Sequence, residues 1–124
     1  MIYFAVALGG ALGALSRFGV GQWLTDSGYA YLHPATFLVN VAGSLFIGLL
    51  YVGAERYTLS EPARLGMSAG FLGAFTTFSA FSFQLLTDIQ EGQVLRAVLY
   101  ASATVLFCLI SCLFGMELGR SVFD

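Results

Sequence analysis

The chain has 124 residues, 58% of them hydrophobic and 10% charged, with arginine as its only strong base and a formal net charge of −2. A mean hydropathy of +0.84 leaves too little polar material to cover a water-soluble globule, so the sequence belongs in a lipid bilayer. A crossing helix takes about 20 residues, so four crossings leave no room for a soluble catalytic domain, and nothing clusters basic charge for nucleic acid.

The first apolar run covers 2–24. It opens Met1-Ile2-Tyr3-Phe4 with no basic leader and outlasts a signal-peptide core, which predicts a retained span. Arg17 lies deeper than the interfacial pair Gln22-Trp23. A guanidinium cannot shed its charge, so it either snorkels or lines a wet vestibule, where it would attract anions. The punctuation Thr25-Asp26-Ser27-Gly28 and His33-Pro34 then leads to a second span over 34–54.

On that span Thr36, Asn40 and Ser44 share one helix face. Asn40 is the costly member. An amide left unpaired in hydrocarbon costs roughly 2–7 kcal/mol, so it must meet water, an ion or a partner. An interhelical hydrogen bond and a place on a conduction path satisfy it equally.

Glu55-Arg56 and Glu61-Pro62 bound the link to a third span over 65–86. Within it, Gly70-Phe71-Leu72-Gly73-Ala74-Phe75-Thr76-Thr77-Phe78-Ser79-Ala80-Phe81-Ser82 combines glycines, hydroxyls and phenylalanines at helical spacing. A break around Gly73 to Thr77 would free backbone carbonyls that can coordinate a cation such as sodium. Phe78 and Phe81 have the opposite preference, since ring edges are electropositive and suit a small anion that also takes hydrogen bonds from Asn40 or Ser79. Aromatic packing is the simpler use of the same rings.

The link Asp88 to Gln93 precedes a fourth span over 95–118, where Tyr100, Thr104, Cys108 and Ser111 lie close to one stripe. Bonds to the preceding helical turn could satisfy these hydroxyls without any pore. Cys108 and Cys112 read as small hydrophobes, with neither a disulfide nor a metal expected.

Short links predict an up-and-down bundle. Arg56, Arg64 and Arg120 fall on the terminal side, Arg96 on the other, and Arg17 towards the first loop. So small a bias allows insertion either way up, and the two orientations could pair about a twofold axis in the membrane plane. The pairs Gly9/Gly13, Gly66/Gly70 and Gly115/Gly119 suit close helix packing.

Three blocks carry a family resemblance: Gly9-Gly10-Ala11-Leu12-Gly13-Ala14-Leu15-Ser16-Arg17-Phe18, Asn40-Val41-Ala42-Gly43-Ser44-Leu45-Phe46-Ile47-Gly48, and the segment 70–82. Together the chain resembles the Fluc/CrcB family of fluoride channels over its whole length. The resemblance implies an all-α membrane protein of the cell inner membrane, with four transmembrane helices, the third broken near its middle. It further implies an antiparallel dual-topology homodimer with two fluoride pores, and a central sodium ion that is structural and not transported. By position, Asn40 becomes a pore hydrogen-bond donor, Phe78 and Phe81 the aromatic pair on fluoride, and Ser79 a nearby hydroxyl. Gly73 and Thr76 would offer sodium their carbonyls, two from each chain. Arg17 would sit at the vestibule, and Tyr100, Thr104 and Ser111 would continue a polar track on which Cys108 replaces an expected hydroxyl.

The implied function is passive export of cytoplasmic fluoride, with no enzyme activity. A small multidrug-type exporter fits the size but needs a membrane-embedded carboxylate; the first span has none, and Glu55 and Glu117 lie near span ends. A non-transporting assembly subunit leaves the alignment of Arg17, Asn40, Thr76, Thr77 and the phenylalanines unexplained.

Overall fold

The computed structural model describes residues 1–25 and 27–123; Asp26, part of the first turn named above, lies outside them. Helix α1 spans Ile2–Thr25, and a single 3-10 turn at Ala30–Leu32 leads into α2, Pro34–Arg56. The third span, Glu61–Gln90, is composite. It runs through α3 (Glu61–Leu65), a wide π-helical stretch at Gly66–Leu72, one turn of α4 (Gly73–Phe75) and then α5 (Phe78–Gln90). Helix α6, Val94–Phe123, follows, so among the described residues four helical segments are long and apolar enough to cross a membrane.

The boundaries have local causes. Pro34 and Pro62 stand in the first turns of α2 and α3, where a missing N–H costs nothing. His33 takes a left-handed conformation (φ 54°) immediately before Pro34, and Gly92 does the same (φ 79°) in the turn between α5 and α6.

Packing is by backbone approach and not by a large apolar core. A Cβ on Gly9 would lie 2.1 Å from the Gly66 carbonyl, and one on Gly13 2.2 Å from that of Phe71, so α1 lies directly on the π-helical stretch. A Cβ on Gly48 would meet the Cys112 carbonyl at 2.2 Å, and one on Gly115 that of Leu45 at 2.1 Å, which locks α2 to α6. Small residues permit this approach, and dispersion over long helix faces then supplies the cohesion. Buried apolar residues are few: Val39, Val52, Leu72, Phe81, Ala97 and Tyr100. Large side chains such as Leu106, Leu109, Leu113 and Phe114 point outward, a surface stable in hydrocarbon and not in water.

Candidate functional site

The chemistry gathers where the third span stops being helical. Thr76 (φ −84°, ψ 159°) and Thr77 (φ −150°, ψ 119°) are extended, and α5 restarts with the Thr77 hydroxyl accepting from the Ala80 N–H. Asn40 secures the interruption from α2. Its side-chain oxygen accepts from the Thr77 N–H at 2.8 Å, and its Nδ2 donates to the Thr77 carbonyl at 3.0 Å. One polar side chain thereby replaces the helical partners Thr77 has lost, which is how a bilayer tolerates irregular backbone.

The diverted donors matter for the carbonyls left behind. In a continuous helix the Thr77 N–H would bond to Gly73 and the Ala80 N–H to Thr76. Here they go to Asn40 and to the Thr77 hydroxyl, so both carbonyls lose their helical donors. The next orphan, the Ala74 carbonyl, accepts from Arg17 Nε at 2.9 Å, which draws α1 onto the same spot.

A half-open cavity of about 540 Å³ adjoins the interruption. Asn40, Ser44, Gly73, Thr76, Thr77, Phe78, Phe81, Thr104 and Cys108 are among the residues lining it. The Phe78 and Phe81 ring centroids are 5.7 Å apart; Phe81 is 6% exposed and Phe78 79%, so one ring is fixed in the bundle and the other stands free. The Thr104 hydroxyl is buried without a hydrogen-bond partner. Such a group in a dry interior calls for a ligand or water.

Arg17 lines a second cavity, of about 350 Å³, with Gln22, His33, Thr36, Thr77 and Gln84. Thr77 is common to both cavities, so the interruption separates one from the other.

Other candidates fall elsewhere. Ser79 meets the Thr77 hydroxyl at 3.3 Å but is not part of the first cavity's lining. Ser111 donates to the Val41 carbonyl at 2.9 Å, so its hydroxyl joins α6 to α2. Tyr100 also lies outside that lining; its ring packs against Phe81 at 5.2 Å and its hydroxyl donates to Gln84 Oε1 at 2.9 Å.

Gln84 is the residue the sequence reading passed over. It donates in turn to the Thr36 hydroxyl at 2.9 Å, tying α2, α5 and α6 together behind the aromatic pair. Its signal was present, since an amide at the next helical step after Phe78 and Phe81 carries the same desolvation cost that singled out Asn40. Also missed was an ionic cluster at the same end of the bundle. Asp88, 1% exposed, accepts from Arg96 at 2.6 Å and meets His33 Nε2 at 3.1 Å. Residues 55 apart in sequence give no local pattern for such a pair.

Four lipid-length helices around a polar interruption and two half-open cavities define a multi-pass membrane protein. The chain belongs to the CrcB family: the family model described as CrcB-like protein, Camphor Resistance (CrcB), matches residues 4–116. It is 43% identical over 120 residues to the fluoride-specific ion channel FluC of Thermus thermophilus, covering 97% of this chain and 94% of that one. The FluC of Idiomarina loihiensis is 40% identical over 116 residues (94% and 90%), and that of Thermotoga maritima 40% over 120 residues (95% and 94%).

Proposed function

We propose that this protein is a fluoride-selective passive channel of the cell inner membrane that lets cytoplasmic fluoride leave down its electrochemical gradient. The observation that carries the reading is full-length similarity to proteins named fluoride-specific ion channels. The cavity chemistry supports it. Fluoride is small, strongly hydrated and a hydrogen-bond acceptor, so a pore for it must return hydrogen bonds without offering a cation to trap it. Asn40 has a second amide hydrogen beyond the one given to Thr77, and the Thr104 hydroxyl has no partner. The edges of Phe78 and Phe81 supply weak positive potential over a wide surface. Arg17 lies at the neighbouring cavity, where it concentrates anions without lining the cavity at Asn40.

The working unit we propose is an antiparallel dual-topology homodimer with two pores. The outward apolar faces and the weak arginine bias support it, as does a cavity left half open in one chain. A structural sodium ion at its centre fits the carbonyls of Gly73 and Thr76, both shorn of their helical donors; two chains would bring four neutral oxygens, the hard donors sodium prefers. That ion would supply a fixed positive charge binding the two interruptions together.

The test is efflux from liposomes containing the purified protein, comparing fluoride with chloride in the presence of a potassium ionophore. Rapid fluoride loss with negligible chloride loss is expected; retention of both anions by folded protein overturns the reading.

A further inference from the structure

His33 is the only histidine in the chain and is 15% exposed. It occupies the wall between two cavities: one shared with Arg17, Thr36, Thr77 and Gln84, the other with Phe37, Arg96, Leu99 and Tyr100. Its position is over-determined. Its backbone is left-handed at φ 54° immediately before Pro34 of α2, and its Nε2 lies 3.2 and 3.1 Å from the two Asp88 oxygens. Its ring sits 5.1 Å from that of Tyr100, whose hydroxyl holds Gln84.

The charges facing it come from every neighbouring element. Asp88 of α5 carries a negative charge and is itself neutralised by Arg96 of α6. Arg96 is shared with Glu91 and lies 5.9 Å over the Tyr31 ring. Arg17 of α1 adds a fixed positive charge across the cavity. With imidazole neutral, the group His33, Asp88, Arg96 and Glu91 is net negative behind the His33 wall of the cavity that Arg17 must make attractive to anions. With imidazolium, that excess disappears.

We propose that His33 is a second anion-attracting residue of the entry cavity, one whose protonation raises the rate at which anions reach the interruption at Thr77. The proposal rests on the channel reading above. The effect is a proton-tuned entry rate. Protonation keeps the Nε2 hydrogen on Asp88, so the ring stays in place while its charge changes. One unit of charge at a wet cavity mouth is worth roughly a two- to fivefold change in anion entry.

The experiment is fluoride efflux from liposomes at about pH 5.5 and about pH 7.5, with leak through protein-free vesicles subtracted at each pH. The unmodified protein is expected to be roughly two- to fivefold faster at the lower pH, and His33→Gln and His33→Asn to show the same rate at both. The asparagine variant tolerates the left-handed backbone and the glutamine retains a donor for Asp88. Carbethoxylation of the folded protein at its one histidine should also flatten the profile without any mutation. A flat profile in the unmodified protein, or an unchanged slope in the variants and the carbethoxylated protein, overturns the proposal. Absence of fluoride flux at both pH values overturns the channel reading and this inference with it.

Discussion

Asn40 holds both backbone groups of Thr77, accepting from its N–H at 2.8 Å and donating to its carbonyl at 3.0 Å, across 37 residues of sequence. The amide is therefore a structural brace as well as a donor facing the cavity. Asn40→Asp keeps the acceptor but sets a carboxylate against the Thr77 carbonyl and against any anion in the cavity. Fluoride efflux should fall by at least about tenfold, an energy difference of about 1.4 kcal/mol or more, with the oligomeric state on size exclusion unchanged. Normal flux would remove Asn40 from the pathway.

The Thr77 hydroxyl is the helix cap of α5, accepting from the Ala80 N–H at 3.2 Å. Thr77→Val preserves shape but removes the acceptor, with an expected loss of about 1 kcal/mol, whereas Thr77→Ser should retain the cap. Thermal unfolding in detergent separates them: a lowered midpoint for valine alone is expected, and equal midpoints would deny the cap.

The glycine contacts make a sharper contrast. Gly48 and Gly115 admit no side chain because a Cβ would lie within 2.2 Å of a carbonyl on the opposing helix, whereas Gly21 has nothing within 4 Å. Gly48→Ala and Gly115→Ala must push α2 from α6, costing about 1–3 kcal/mol, while Gly21→Ala should be neutral or slightly stabilising through helix propensity. Thermal midpoints measured in one detergent check all three.

Hydropathy made four crossings legible because lipid-length apolar runs admit few other structures, and the Gly9/Gly13 and Gly66/Gly70 spacings anticipated the α1 contact. Asn40 stood out because its desolvation cost is local to one residue. Its partner was hidden, since the Thr77 main chain becomes available only through the extended backbone at Thr76 and Thr77. Ser111 shows the limit of stripe reasoning: its hydroxyl shares a face with Thr104, yet bonds to the Val41 carbonyl while Thr104 stays unpaired. Asp88 read as turn punctuation, and only the fold brings His33 and Arg96 to it.

Thr76 separates backbone from side-chain coordination in the proposed sodium site. Its N–H and its hydroxyl both bond to the Leu72 carbonyl at 3.0 Å, so its side chain is occupied and its own carbonyl is the oxygen open to a cation. Thr76→Ser retains the hydroxyl, the N–H and the carbonyl, losing only the methyl that packs over Gly43. Thr76→Pro removes the N–H bond and the hydroxyl together and shifts the carbonyl. If sodium binds the folded dimer, replacing N-methylglucamine with sodium should raise the thermal midpoint of the unmodified protein and of Thr76→Ser, because a ligand that binds only the folded state stabilises it. The proline variant should lose that increment and its fluoride flux. Loss of the sodium increment in Thr76→Ser, which keeps the carbonyl, would deny that carbonyl its role in binding the ion, and no sodium dependence in the unmodified protein would remove the ion from the assembly.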